Sequence, residues 1–322
     1  MEIQIKREYN YSDVYLVPNK CIVGSRSECD VTQKLGKHTF SLPVIAANMP
    51  SVIDEKTCEF FCKHNMFYTM HRFNNINQVK FIDRMASQNF ISSISIGIND
   101  ESYAQLSQIK EAKLEPDYIT IDVAHAFSEK CKRMIGVVRE KFPDTFLIVG
   151  NGTTREFVEF VSDCGASCCR VFIGPGASCI TKVFTGFTRG TISTLIDCVG
   201  SPIPIIADGG VREIGDVAKA LAISANFVMA GHLFAGYDES SGDTIEHDGK
   251  KYKKYYGNAS EDNKKRNSDS VKNVEGKTIL VEHKGEMQNL IKTLSESLKS
   301  SVSYSGGDNL DSLRNCRLIA IN

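Results

Sequence analysis

Eight short, continuously apolar runs, separated by helix-like segments, constrain the fold of this chain more than any other feature. They are SLPVIAAN (41–48), MFYTMH (66–71), SISIGI (93–98), YITIDVA (118–124), TFLIVGN (145–151), CCRVFIG (168–174), IPIIADGG (203–210) and FVMAG (227–231). A run that is apolar on both faces is a strand covered on both sides, as in a parallel sheet wrapped by crossover helices. The intervening lengths suit such helices. The pattern predicts an α/β fold of the TIM (β/α)8 barrel type. The 322 residues accommodate either one such barrel or two average domains, so the strand count decides and the length does not.

The runs end on polar or glycine-rich residues. Asn48-Met49, His71-Arg72, Asp122, His125, Asn151, the Gly174 loop, Asp208-Gly209-Gly210 and Gly231-His232 all fall where an apolar run stops. In a barrel these C-terminal strand ends form the catalytic rim. Polar residues at strand ends are also what any loop contains, but their recurrence at every run favours a site.

Among the rim loops, Val171 to Thr181 (VFIGPGASCIT) stands out. Gly174 and Gly176 free the backbone for conformations closed to residues with a Cβ, and Pro175 stiffens the turn between them. Cys179 is thereby put on a loop lip, where a reactive thiol would sit, although a cysteine is more often a small buried hydrophobe. Thr181 adds a hydroxyl close by, or simply caps a helix. The eleven cysteines are odd in number and scattered through apolar segments, and Cys58-x-x-x-Cys62 has no partner pair at zinc-binding spacing. They read as reduced thiols in a reducing compartment.

The balance of 38 basic and 39 acidic residues leaves a formal charge of -1, so no global field favours nucleic acid or an anionic membrane. Neither a signal-like N-terminus nor a stretch of roughly 18 apolar residues is present. A soluble, cytoplasmic protein is expected. Between about Tyr237 and Lys277 the chain is dense in Lys, Asp, Asn, Ser and Gly. This segment is either a solvated loop or, attached to the last strand of a barrel, a mobile flap acting as a lid. MQNLIKTLSESLKSSVSY (287–304) then reads as the last barrel helix, so that residues 1–322 form a single domain.

Assembled, these segments resemble the inosine monophosphate dehydrogenase/GMP reductase family, and within it the shorter bacterial-type reductases. The resemblance is carried nearly end to end by SRSECD (25–30), LPVIAANM (42–49), MHRF (70–73), YITIDVAHA (118–126), IGPGASCITK (173–182), ADGGVREIGDVAKA (207–220), LFAGYDES (233–240), DGKKYKKYYGNASE (248–261), NVEGKTILVEHKG (273–285) and SSVSYSGG (300–307). About twenty residues separate His71 from the third run, so the regulatory CBS domains common in the dehydrogenases are absent.

The resemblance implies reductive deamination of GMP by NADPH to IMP, ammonia and NADP+, through a covalent Cys thioimidate. It makes Cys179 the nucleophile, with Thr181 and Glu275 relaying a proton to the departing amine. The dehydrogenases carry an Arg-Tyr pair where this flap offers Glu275-Gly276-Lys277, which favours the reductase. Substrate contacts are implied for Asp208, Gly209 and Gly210 at the ribose and phosphate, Gly231 and His232 at the phosphate, and Gly257, Asn258, Ala259, Lys272 and Gly276 at the purine. Cofactor contacts are implied for Arg72, Asp122, Val123 and Ala124. Ser25, Arg26, Ser301, Tyr304 and Gly306 would approach from a neighbouring subunit of a homotetramer. No strand-GxGxxG-helix signal offers another dinucleotide site. Backbone carbonyls of Gly174, Gly176 and Cys179 would form a potassium site.

The chain departs from the family pattern at Ala177, where many relatives have a serine, and at Arg72, where the longer reductases have lysine. It also departs at His232, which replaces a small residue, and in FTGFTRG (184–190), a less glycine-rich loop. Two other readings stand beside the reductase: a CBS-less inosine monophosphate dehydrogenase, and a catalytically weak nucleotide-binding barrel.

Overall fold

The computed structural model describes residues 5–74, 76–266 and 274–321. Seven of the eight runs become strands of one parallel sheet, in the order Val44–Ala46, Phe227–Ala230, Ile205–Asp208, Cys168–Val171, Phe146–Gly152, Tyr118–Asp122 and Ser93–Ile96. The run at 66–71 narrows to a single parallel bridge between Met70 and Ile94, with the Met70 amide donating to the Ser93 carbonyl at 3.0 Å. Side chains link the runs around this position. Asn48 Nδ2 donates to Ser95 Oγ at 3.0 Å, and the hydroxyls of Thr69 and Thr120 lie 3.1 Å apart. The sheet thus curls into the expected TIM-type α/β fold.

Alternation along each strand sorts the core into two parts. One side chain set, including Ile45, Tyr118, Ile148, Cys168, Ile206 and Met229, packs with Leu35, Phe40 and Phe67 inside the sheet. The other packs outward against helices such as Gln78–Ser87, Glu129–Lys141 and Arg155–Asp163. Each of these helices starts where a side chain caps it: Asn77, Ser128 and Thr154 accept from the third following amide, which satisfies a donor the helix cannot. A hairpin, Gln33–Leu35 with His38–Phe40, joins the inner core. The Tyr118 hydroxyl fixes it by donating to the Leu35 carbonyl at 2.8 Å.

The polar stretch after the last barrel strand is more ordered than its composition suggests. Thr244–His247, Lys250–Tyr256 and Thr278–Glu282 form a three-stranded antiparallel sheet. Its polarity conceals a strand because Lys253 is buried by its stem and its ammonium is held by backbone carbonyls, at 3.0 Å from that of Asp238, while Tyr255 and Tyr256 are both buried. Long lysines carry enough methylenes to pack in this way. Tyr256 is pinned to the barrel by Ser51, whose hydroxyl donates to its carbonyl at 2.8 Å and accepts from its amide at 3.1 Å. The helix expected at 287–304 runs from Met287 to Ser305. Strand Arg317–Ala320 then pairs antiparallel with Val14–Val17. Among the described residues, no helix is long and apolar enough to cross a membrane.

Candidate active site

A cavity of about 420 Å³ opens at the C-terminal ends of the strands. Its walls include Cys179, Thr181, Glu275 and Gly276 on one side, Arg72, Asp122, Val123 and Ala124 on another, and Arg170 and Asp208 on its floor.

The loop carrying the thiol is set by backbone geometry. Phe172, the first residue after strand Cys168–Val171, has φ +97°, a conformation that costs a bulky residue of order 1–3 kcal/mol unless its surroundings hold it. They do: its amide donates to the Gly152 carbonyl at 2.8 Å, and its carbonyl accepts from Asn151 Nδ2 at 2.9 Å. Gly174 then takes φ +95°, and a Cβ there would meet the Thr188 hydroxyl at 2.9 Å. The loop turns back so that Cys179 donates its amide to the Gly176 carbonyl at 3.1 Å. Cys179 Sγ lies 3.2 Å from Thr181 Oγ1, half-buried. By contrast, the thiols of Cys131 and Cys198 are buried in the core and pushed up to about 12 by that burial, which makes them poor nucleophiles.

The flap is clipped onto this loop by its backbone. Ile180 donates to the Glu275 carbonyl at 2.9 Å, and Lys277 donates to the Ser178 carbonyl at 2.9 Å. These make an antiparallel bridge between Cys179 and Gly276. On its other edge Gly276 bridges Ser260, and the Glu275 amide donates to the Ala259 carbonyl at 3.1 Å. Asn258 reaches the barrel through Nδ2, 3.3 Å from the Asn48 carbonyl, while its Oδ1 is buried without a partner among the described residues. That oxygen is an acceptor available to a ligand N–H.

Four charges line the floor and the wall beside it. Arg170, almost wholly buried, donates through Nη1 to Asp122 Oδ1 at 3.0 Å and through Nη2 to Asp208 Oδ2 at 2.6 Å. Arg72 Nε approaches Asp122 Oδ2 at 3.9 Å and has no hydrogen bond among the described residues, while the guanidinium lies over the Phe73 ring. Tyr255 leans over Gly231, where a Cβ would run into its hydroxyl. Burial pushes this phenol up to about 12, so it stays a donor at neutral pH.

Most of the expected site residues therefore converge on the cavity, but several do not. Gly210 faces Tyr11 and Thr191 rather than the opening, and His232 packs its ring against Tyr255, with centroids 5.8 Å apart. Lys272 lies outside the described residues. The cluster expected to serve a neighbouring subunit is assembled apart from the cavity of its own chain. There Arg26 donates to Tyr304 at 2.9 Å and to Ser300 at 3.0 Å, close to Ser25, and Gly306 follows as the C-cap of the last helix. Ser301 is on that helix too, with its hydroxyl on the Ser297 carbonyl at 3.0 Å. Arg170, Asn151 and Tyr255 were not among the expected contacts. The signal for Arg170 was a lone charge inside the apolar run CCRVFIG. A buried charge must be paired.

Among the described residues, no group of three or more His, Cys, Asp or Glu could hold a metal ion. The carbonyls of Gly174, Gly176 and Cys179 are oxygen donors of the kind a hard cation takes. That of Gly176 is already turned into the loop toward the Cys179 amide.

Comparison with known proteins follows the same outline. Residues 8–322 match the family model described as the IMP dehydrogenase / GMP reductase domain. The chain is 49% identical over 318 residues to a GMP reductase of Chromobacterium violaceum, covering 98% of this chain and 99% of that protein. It is 46% identical over 316 residues to a GMP reductase of Bacillus cereus and 45% identical over 316 residues to one of Oceanobacillus iheyensis. In each case 97% of this chain and 95% of the relative are covered.

Proposed function

The chain belongs to the IMP dehydrogenase / GMP reductase family, and we propose that its reaction is the NADPH-dependent conversion of GMP to IMP and ammonia. The observation that carries this reading is the meeting of Cys179 and Thr181, 3.2 Å apart, with the flap residue Glu275 hydrogen-bonded to the residue between them.

In this mechanism Cys179, as thiolate, bonds to carbon 2 of the purine. The carbon–nitrogen bond to the amino group breaks, and the amine leaves as ammonia after taking a proton passed from Glu275 through Thr181. When bound, NADPH supplies a hydride to carbon 2. The carbon–sulfur bond then breaks, IMP departs and the thiolate is restored. Each turnover thus replaces the amino group by hydrogen and oxidises one NADPH.

The remaining wall residues suit the two ligands. Asn258 Oδ1 is a buried acceptor for a purine N–H, and Asp208 has one carboxylate oxygen left for ribose hydroxyls. Gly231 and Gly209 let backbone come close to the phosphate beside the Tyr255 hydroxyl. Arg72, with Nε unsatisfied beside Asp122, Val123 and Ala124, suits an anionic dinucleotide. The Ser25, Arg26, Ser301, Tyr304 and Gly306 face would complete that site in the next subunit of a cytoplasmic homotetramer. A potassium ion on the 174–179 loop would order it, and no step is assigned to it.

Absorbance at the reduced nicotinamide band tests the reading. NADPH should be consumed with GMP in potassium buffer, and NAD should not be reduced with IMP. The reverse outcome makes the protein a dehydrogenase, and no turnover in either direction makes it a binding barrel. Replacing NADPH by NADH, and potassium by sodium, checks the two finer assignments.

A further inference from the structure

Arg170 joins two aspartates that the proposed function assigns to different ligands. Asp122 ends strand Tyr118–Asp122 on the cofactor side, and Asp208 ends strand Ile205–Asp208 on the substrate side. One guanidinium, with its side chain only 6% exposed, spans both. It takes a single oxygen from each. On Asp208, Oδ2 accepts from Arg170 Nη2 at 2.6 Å, Arg170 Nε at 3.1 Å and Asn151 Nδ2 at 2.7 Å. On Asp122, Oδ1 accepts from Arg170 Nη1 at 3.0 Å. The second oxygen of each carboxylate is left over. Among the described residues, Asp122 Oδ2 has only Arg72 at 3.9 Å and Asp208 Oδ1 has no hydrogen bond.

We infer that Arg170 is a positioning residue that aligns the two carboxylates and couples nucleotide binding to dinucleotide binding across the cavity. The inference rests on the proposed function for the identity of the two ligands. The physical argument is that a planar, always charged guanidinium makes bonds of fixed direction, so the two carboxylates cannot turn independently. A hydroxyl that binds Asp208 Oδ1 orders that carboxylate and, through the shared fork, the carboxylate of Asp122 as well. The second ligand then meets an ordered partner and binds more tightly. By reciprocity the effect is equal in both directions.

The test uses GMP with NADP+, a pair that cannot exchange hydride, and the full chain. Calorimetry would give the affinity for NADP+ with and without saturating GMP. In the wild type GMP should tighten NADP+ by about fivefold or more, the usual lower range of such coupling. Arg170→Lys keeps the charge but cannot fork across two carboxylates, and should reduce the coupling to less than about twofold. Asp122→Ala removes the acceptor of the cofactor-side contact and leaves the Asp208 side of the fork in place. It should also abolish the coupling, while GMP affinity measured alone changes little, a split that general loss of structure would not produce. Coupling that persists in Arg170→Lys, or wild-type binding of both ligands without coupling, overturns the role of Arg170 and leaves the proposed function standing. Failure of the wild type to bind GMP at all overturns both.

Discussion

The amide of Ile180, between the thiol and the hydroxyl of the site, donates a 2.9 Å hydrogen bond to the carbonyl of Glu275 on the flap. Gly276, the next residue, is squeezed between two strands at once. A Cβ there would stand 2.9 Å from the Ser260 amide nitrogen and 3.2 Å from its Cα. These are backbone atoms, which cannot swing aside as a side chain can. Gly276→Ala should therefore hold the flap off the loop. Misplacing catalytic groups by about 1 Å costs on the order of 10²-fold, and a loss of that size is expected in kcat/KM. Hydrogen exchange gives an independent readout. Lys250–Tyr256, anchored by Ser51, should stay protected in the variant, whereas the amides of Ile180 and Lys277 should exchange faster. Wild-type kinetics in Gly276→Ala would mean that the closed arrangement is not the working one.

Glu275→Gln preserves the size and backbone contacts of the flap residue and removes its proton. The expected effect is selective. Ammonia release should slow by ~10²–10⁴-fold, the ordinary worth of a general acid or base, while hydride transfer to a preformed covalent intermediate should change little. Rapid-quench measurement of ammonia in a single turnover, beside stopped-flow absorbance of NADPH, separates the two steps. Equal deamination by variant and wild type would remove Glu275 from the relay.

For Cys179→Ala, turnover should vanish and GMP binding should remain largely intact, because no neighbouring group can replace the covalent nucleophile. Residual activity above a few per cent sinks the assignment. Mass spectrometry of wild-type enzyme trapped with nucleotide should place the adduct on Cys179 and on no buried cysteine.

The barrel was legible because its strands are buried on both faces and so betray themselves as apolar runs. Where that condition weakens, legibility fails. MFYTMH is as apolar as the others, yet it contributes one backbone bridge at Met70, since run composition reports burial and not hydrogen bonding. Lys250–Tyr256 was hidden for the opposite reason: it is dense in lysines, which read as solvent-facing, yet Lys253 among them is buried beside Tyr255 and Tyr256. The site was legible at the Gly-Pro-Gly turn and Cys179, where backbone freedom requires particular residues. Arg170 shows itself only as a lone charge in the apolar run CCRVFIG, a sign that it must be paired but not with what. Its role depends on Asp122 and Asp208, which lie 48 and 38 residues away along the chain, and only the curled sheet brings them within reach.

His71 offers a test of the rim that does not depend on catalysis. Its ring is buried beside Phe73, whose amide donates to Nδ1 at 3.2 Å. Burial lowers its pKa from the ordinary 6.5 to about 4, against the opposing pull of Asp54 and Asp122. Between these two values the unfolded chain binds a proton that the folded chain refuses, so stability rises with pH through this window and is lost on acidification. At 1.36 kcal/mol per pKa unit, the loss on going from above pH 6.5 to below pH 4 is on the order of 3 kcal/mol. His71→Gln retains an acceptor for the Phe73 amide and removes the titration. Urea unfolding at a series of pH values should therefore show a shallower decline in the variant between pH 6.5 and 4 than in the wild type. Parallel curves would mean that the imidazole is protonated in the folded protein and that the rim around Asp122 is wetter than its packing indicates.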